Sequence, residues 1–225
     1  QTQEDVDEEE EEEEEEDTIQ LATIALGREH ACAIKDDGTV WCWGENGNSQ
    51  LGNDSTADSN VPVQATGMTG AVEVSTTFDA SAALKSDGKI WRWAPLLEWD
   101  DHPVLDNAIS DVAQFEASKD GADLVAVKSD GTVWQYDNYG SGTWEDKSLS
   151  GFTQASVGYN HSCALKGDGT VWCWGDNAVG ELGYAGGDTD TPVQVTGFTG
   201  AAQVSVANGS SCAVKTDGTA WCWGA

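Results

Sequence analysis

The stretch Cys32-Ala-Ile-Lys-Asp-Asp-Gly-Thr-Val-Trp-Cys-Trp-Gly44 returns in altered form four more times in this chain, beginning at residues 82, 125, 163 and 212. The glycine of its turn lies at positions 38, 88, 131, 169 and 218, so successive copies are 50, 43, 38 and 49 residues apart. A period of roughly 20 to 50 residues is typical of solenoids, propellers and other repeat arrays. Because the periods are unequal, we expect the insertions to lie in loops between the copies.

Each copy predicts a β-hairpin, because an apolar run that ends in lysine is followed by Asp-Gly and a second apolar run. If Gly38 adopts the left-handed conformation after a type I turn, the two strands pair so that Cys32 faces Cys42. Counted from the closing pair of the turn, this is a non-hydrogen-bonded site, where the Cα atoms are about 4.5 Å apart. That separation allows a disulfide.

The cysteines of the chain occupy the same two positions in three copies, and we predict the disulfides Cys32–Cys42, Cys163–Cys173 and Cys212–Cys222. The other two copies lack both cysteines together, having Ala82 with Arg92 and Val125 with Gln135. This joint loss favours disulfides over a metal site, which needs short Cys-x-x-Cys or Cys/His clusters. Disulfides persist in oxidising compartments, so we expect an extracellular or cell-surface protein.

Further short strands are predicted around each hairpin. In the first and fourth units a turn-rich loop, 44–52 or 175–183, is followed by a run that contains Pro-Val-Gln, and Pro62 suits an outer edge strand. Four short strands in about 40 to 50 residues is the pattern of a β-propeller blade. We therefore predict an all-β chain with one propeller domain over residues 18–225, built of four-stranded antiparallel blades of which the last is incomplete. The predicted units are about 18–70, 71–110, 111–153, 154–200 and 201–225.

An acidic, low-complexity segment occupies residues 1–17, and its Glu4–Asp17 stretch holds 13 acids and no base. Such a composition predicts disorder, because like charges repel and no apolar side chain offsets the loss of chain entropy. The sequence predicts no cofactor, although carboxylates are the ligands that calcium prefers. A calcium site in this segment is the alternative that we keep open, with Glu8, Glu10, Glu12 and Glu14 as its candidate ligands.

The net charge of the chain is −30, and without the acidic stretch 27 acids still face 10 bases. Nucleic-acid binding is excluded on this ground, because phosphate backbones are bound by neutralising Lys and Arg. No run of about 18 apolar residues is present, so no transmembrane helix is expected. The chain has neither an initiator Met nor a signal peptide, and we expect a processed form or a fragment.

The acidic segment also has a predicted structural role. Alignment of the first unit on the fourth by Gly27 and Gly158 places residues 12–15 where an outer strand would stand. We predict that this segment docks on the open edge of the last hairpin, at residues 219–224, in the same molecule or in a neighbour. Glutamate is a poor strand former, so the pairing would act against local preference.

One string carries a family resemblance: His161-Ser-Cys-Ala-Leu-Lys-Gly-Asp-Gly-Thr-Val-Trp-Cys-Trp-Gly-Asp-Asn-Ala-Val-Gly-Glu-Leu-Gly183, with Pro-Val-Gln-Val at 192–195. It resembles the regulator-of-chromosome-condensation repeat, in a disulfide-bearing form similar to that of secreted bacterial proteins. The resemblance covers about residues 18–225 and implies a β-propeller, for which the usual blade count is seven against five hairpins here. Functions in the family range from nucleotide exchange on a small GTPase to β-lactamase inhibition, so the fold alone assigns no site.

No catalytic constellation is found in the sequence, and we expect no enzyme. His30 and His161 share one repeat position whose counterpart in the fifth unit is Ser210, which predicts a structural hydrogen bond. The second and third units replace the turn-rich loop with irregular segments, and such loops on a regular scaffold often carry binding. Their aromatic residues Trp99, Trp144 and Tyr139 are therefore candidate contact residues.

These observations lead to one main functional hypothesis. We expect a non-enzymatic extracellular scaffold that binds proteins, as a surface protein or as a self-assembling filament subunit. The alternative is a secreted propeller that inhibits an extracellular enzyme such as a β-lactamase, and an enzyme that processes carbohydrate or peptide is a third class.

Overall fold

The structure is a computed structural model that describes residues 21–94, 100–119, 123–137 and 142–225. This part of the chain forms nineteen β-strands in five sheets. Blade one contains β1 (Leu21–Leu26), β2 (His30–Lys35), β3 (Val40–Gly44) and β4 (Ser59–Gln64). Blade two contains β5 (Ala71–Thr76), β6 (Ser81–Lys85), β7 (Ile90–Ala94) and β8 (Asp100–Leu105).

The next blades repeat this arrangement. Blade three contains β9 (Val112–Ala117), β10 (Asp123–Lys128), β11 (Val133–Asp137) and β12 (Trp144–Asp146). Blade four contains β13 (Phe152–Val157), β14 (His161–Lys166), β15 (Val171–Gly175) and β16 (Thr189–Gln194). Blade five contains β17 (Ala201–Ala207), β18 (Ser210–Lys215) and β19 (Ala220–Gly224). The predicted all-β fold, with four four-stranded blades and a last blade of three strands, is confirmed.

Every blade is an antiparallel meander in which each strand pairs with the next one along the chain. The first strands β1, β5, β9, β13 and β17 pack side by side, so the blades follow one another around the inside of a propeller. Among the described residues no helix is present that could span a membrane.

The turn of each hairpin has the predicted geometry. Gly38 has a φ of 76°, and the strands that it joins pair Ile34 with Val40 and Cys32 with Cys42. Asp37 stabilises the turn, because its Oδ1 accepts hydrogen bonds from the backbone N–H and the hydroxyl of Thr39. The lysine before the turn lies over the indole ring of the following tryptophan in all five hairpins. This residue therefore packs on its own blade as well as carrying a solvated charge.

The cysteine pairs face each other across these hairpins, with Cα separations of 4.1, 4.0 and 4.1 Å, and the structure joins each pair as a disulfide. The pairs of blades one and four are fully buried, whereas Cys222 on β19 is exposed. Four clusters of buried apolar side chains fill the space between neighbouring blades. The core of the molecule thus lies between the sheets.

Candidate binding cleft between blades three and four

Neighbouring blades are joined by a small polar network that is best seen between blades one and two. The imidazole Nε2 of His30 lies 2.9 Å from the hydroxyl of Ser81 on the next blade. That hydroxyl donates to the backbone carbonyl of Gln50 at 2.9 Å, and the indole N–H of Trp93 donates to the same carbonyl at 2.8 Å. One loop carbonyl of blade one therefore satisfies two side chains of blade two.

The same network joins blades four and five. His161 Nε2 lies 2.8 Å from the hydroxyl of Ser211, which donates to the carbonyl of Glu181 at 2.9 Å. The indole N–H of Trp223 donates to that carbonyl at 2.8 Å. Burial lowers the pKa of His161 and lowers that of His30 to about 4, so both imidazoles are neutral near pH 7. The structural hydrogen bond predicted for this repeat position is present at both junctions.

The loop that presents the carbonyl, residues 44–52 or 175–183, is here named the repeat loop. It is held by a buried asparagine, because Asn46 Nδ2 donates to the carbonyls of Ser55 and Ala57 while its Oδ1 accepts from the N–H of Leu51. The loop ends at Gly52, whose φ is 65°, and a Cβ there would lie 2.8 Å from the indole of Trp93. A glycine is therefore required for the loop to pack on the next blade.

Blades two and three are joined in another way, because the position of Cys42 is taken by Arg92. Its guanidinium is buried, lies 2.9 Å from Asp106 Oδ2 and stacks 4.4 Å from the ring centre of Tyr136. The indole N–H of Trp144 donates to the same carboxylate at 2.8 Å. An ion pair and two aromatic rings thus replace the loop carbonyl.

In the part of the chain that the structure describes, the junction of blades three and four has neither the histidine–serine network with its loop carbonyl nor the arginine ion pair. Asp123 stands at the position of the histidine, Gln135 stands at the position of the second cysteine, and the third unit has no repeat loop. Gln135 partly compensates, because its Oε1 accepts from the indole N–H of Trp174 and its Nε2 donates to Asp123 at 3.1 Å. Among the described residues, the hydroxyl of Ser162, the counterpart of Ser81 and Ser211, has no hydrogen-bond partner, although the residue is only 1% exposed. This junction therefore lacks the hydrogen bond that the serine hydroxyl makes at the other two junctions.

A cleft of about 560 Å³ opens at this incomplete junction. Ser162 and Trp174 lie in its wall together with Tyr159, which is 48% exposed. Its acidic residues are Asp123, Glu145, Asp176, Asp188 and Asp190. Lys147 is the lysine among the described residues of the wall, and its Nζ lies 3.6 Å from Glu145 Oε2. The cleft is therefore strongly negative and has one buried hydroxyl without a partner.

A second depression of about 520 Å³ lies over the inner strands of blades one to four. Two acidic residues line it, and burial raises the pKa of Glu73 to about 7 and raises the pKa of Glu116. Lys119 crosses this region, because its Nζ donates to the carbonyls of Leu26 and Thr76 at 3.1 and 3.2 Å. These charged groups contact their own neighbouring blades, so the depression is weaker evidence for a ligand than the cleft.

One group of side chains has the composition of a metal site. Asp54, Asp101 and His102 offer ligand atoms within 4.8 Å of one another, and all three are exposed. His102 Nδ1 lies 2.9 Å from Asp101 and 3.5 Å from Asp54, so the side chains already pair with each other. We assign no ion to this surface group.

The structure differs from the sequence prediction at Trp144, which we expected on a contact surface. Its side chain is 8% exposed, packs on Tyr136 at 5.7 Å between ring centres and is bonded to Asp106. It is therefore a core residue that packs beside the Arg92–Asp106 ion pair. The other candidate contact residues, Trp99 and Tyr139, lie outside the described residues, as do the candidate calcium ligands Glu8, Glu10, Glu12 and Glu14 and the segment predicted to close the last blade.

The cleft itself was missed at the sequence level. Its signal was present, because the third unit replaces the repeat histidine by Asp123 and lacks the repeat loop, while the fourth unit retains Ser162. The serine and the carbonyl that satisfies it belong to different blades, so neither unit taken alone indicates that the hydrogen bond is lost.

Comparison with known proteins gives matches over most of the chain. Two sequence profiles described as the Regulator of chromosome condensation (RCC1) repeat match, one at residues 22–50 and 152–181 and the other at residues 37–84 and 168–214. Together they cover more than half of the 225 residues. The Ultraviolet-B receptor UVR8 of Arabidopsis thaliana is 29% identical over 207 residues, which is 79% of this chain and 46% of the receptor.

Solved structures show the same fold. Prp20p from Saccharomyces cerevisiae matches with a TM-score of 0.76 at 18% identity, over 90% of this chain and 56% of that one. Human WBSCR16 matches with a TM-score of 0.72 at 20% identity, over 85% of this chain and 57% of that one. The chain thus spans about half the length of the relatives that it matches.

Proposed function

Because this chain belongs to the RCC1 repeat family, we propose that it is a non-enzymatic propeller that binds proteins outside the cell. The fold is consistent with protein binding, and Prp20p, which shares it, binds Gsp1p and histones. At 18% identity that likeness concerns the fold alone, so the partner of this chain is a separate question.

The observation that carries the extracellular part of the proposal is the position of the cysteines. Three pairs stand at one repeat position in strands that face each other, and no cysteine of the chain is left outside a pair. A reducing cytosol would keep these thiols reduced, and the loop-entropy contribution of each bond, about 3 kcal/mol, would be lost. The bonds are useful to the protein only in an oxidising compartment.

The test is the redox state and location of the protein in the cells that produce it. Cells are treated with an alkylating agent at lysis, and the intact mass is measured without reduction for the medium, the cell-surface and the cytosolic fractions. We expect the protein in the medium or on the surface, with no alkylated thiol. Six alkylated thiols in a cytosolic pool would refute the proposal.

We further propose that the protein associates with copies of itself as a structural subunit, because among the described residues β19 pairs on one side only and its Trp221 is 55% exposed. Light scattering after size-exclusion chromatography tests this on the oxidised chain, and negative-stain microscopy shows whether filaments form. A monomer at all concentrations would refute self-assembly and leave protein binding untouched.

A further inference from the structure

We propose that the cleft between blades three and four binds the basic side chain, lysine or arginine, of a protein partner. The inference rests on the proposed function, because it names the chemistry of the partner that a protein-binding propeller would take. It is carried by the unsatisfied hydroxyl of Ser162 and by the charge of the wall around it.

The cleft lies at the junction where one repeated contact is missing among the described residues. At the other two junctions of this kind, the hydroxyls of Ser81 and Ser211 donate to a repeat-loop carbonyl that fills the same space. Ser162 keeps the hydroxyl without the loop, and its oxygen makes no hydrogen bond within the structure although it is buried. Buried hydroxyls are costly when unpaired, so a ligand that supplies an N–H at this point gains a hydrogen bond that the protein alone does not make.

The charge of the wall selects a cation. Among the described residues, five carboxylates line the cleft against one lysine, and that lysine is already within 3.6 Å of Glu145. The histidine in the wall adds no charge, because burial lowers the pKa of His161 and its Nε2 is bonded to Ser211. An anion would meet only Lys147, which already lies beside Glu145, whereas an ammonium or guanidinium would reduce the repulsion between the carboxylates.

The shape of the site favours an extended cation over a metal ion. Among the described residues, the one set of three His or carboxylate ligand atoms within 4.8 Å of one another lies elsewhere, at Asp54, Asp101 and His102. The carboxylates of the cleft are thus spread along a space of about 560 Å³, which is much larger than one ion requires. Tyr159 at the wall offers an aromatic face to a passing guanidinium or to the aliphatic stem of the side chain.

The full-length oxidised chain can be tested with a small probe that carries one charge. Nα-acetyl-L-arginine amide is titrated into protein labelled with ¹⁵N-tryptophan, and the indole N–H signal of Trp174 is followed by NMR after assignment with Trp174→Phe. Nα-acetyl-L-citrulline amide, which has the same shape and no charge, is the matched ligand. We expect a saturable shift with the arginine probe and a much weaker one with citrulline.

Variants of the cleft wall are compared with a variant elsewhere, which tests whether the probe binds the cleft or responds to the net negative charge of the whole protein. Asp176→Asn with Asp190→Asn should weaken binding of the probe about five-fold, since two partly screened charges are lost. Glu45→Gln changes an acid at the same repeat position as Asp176 but in blade one, and it should leave the affinity unchanged. Ser162→Ala should weaken binding about three-fold without a loss of thermal stability, because alanine stands at this repeat position in blade one as Ala31.

The inference would be overturned by the absence of a saturable response of Trp174, by an equal response to citrulline, or by binding of magnesium or calcium at this signal without binding of the arginine probe. A loss of affinity in Glu45→Gln as large as the loss per charge in the double variant would show that the probe follows net charge and not the cleft, which also overturns the inference. None of these results bears on the location or redox state of the protein, so a failure here is distinct from a failure of the proposed function.

Discussion

Replacing Glu73 by glutamine should stabilise the propeller at pH 8 and have little effect at pH 5. In the next two blades the same position holds glutamines that make two hydrogen bonds to the following inner strand. Gln114 accepts from the N–H of Ala155 at 2.8 Å and donates to its carbonyl at 3.1 Å, and Gln154 does the same with Val204. Glu73 accepts from the N–H of Phe115 at 3.1 Å, but an ionised carboxylate has no hydrogen to donate.

The size of the effect follows from the pKa of this carboxyl, which burial raises from 4.5 to about 7. Between these values the folded protein keeps a proton that the unfolded chain has released, so stability falls as pH rises and becomes level above about pH 7. Each unit of pKa shift corresponds to about 1.4 kcal/mol. Allowing for the partial exposure of Glu73, about 2 kcal/mol should be lost between pH 5 and pH 8, and Glu73→Gln should remove that loss.

Urea unfolding followed by tryptophan fluorescence measures this at the two pH values. The difference between wild type and Glu73→Gln should grow by about 2 kcal/mol from pH 5 to pH 8 in favour of the variant, since groups common to both cancel. Gln154→Glu is the matched control, and it should introduce the same pH dependence at another junction. Parallel stability curves for wild type and Glu73→Gln, or a variant that is less stable at pH 8, would refute the reasoning.

Two further predictions concern the other junctions. The pKa of His30 is lowered to about 4, so as the pH falls the unfolded chain binds a proton before the folded protein does, and stability falls from pH 6.5 towards pH 4. We expect a loss of about 2 kcal/mol in the free energy of unfolding by pH 4.5. In urea unfolding, His30→Gln should remove most of this loss. An unchanged pH slope in that variant would contradict this. Arg92→Met leaves the buried carboxylate of Asp106 without its cation and should cost about 3 kcal/mol, whereas adding Asp106→Asn should recover part of it. A double variant no more stable than the single one would argue against the ion pair.

The strand pairing could be predicted because it depends on local chemistry. A glycine two positions after the first turn residue fixes the hairpin, and the facing of Cys32 and Cys42 follows by counting, as the register of the structure confirms. The outer strand β8 was harder, because its Pro103 and Val104 match the Pro-Val of the first unit but the loop before them does not. Strand pairing within a unit can therefore be predicted where the residues of that unit keep the repeat motif.

The contacts between blades could not be predicted in the same way. Arg92 and Asp106 belong to blade two, whereas Trp144 lies 38 residues after Asp106 in blade three, so its contact with them depends on how blades two and three pack. The sequence places Trp144 outside the repeat, which suggests a surface residue, whereas the structure buries it against the ion pair. A residue that departs from the repeat can either pack in the core or bind a ligand, and its burial distinguishes these two roles.

The departures of the second and third units therefore have opposite outcomes. At the junction of blades two and three, Arg92 and Trp144 replace the repeat contact with a new buried one around Asp106. At the next junction, Gln135 satisfies the indole of Trp174, but nothing in the described chain satisfies Ser162, which lies in the wall of the cleft. Loss of the repeat loop is common to both, so it does not by itself create a site. The cleft differs because blade four retains Ser162, whose counterparts Ser81 and Ser211 donate to the repeat loop. The hydroxyl of Ser162 is therefore a polar group to which a ligand from another protein can bind.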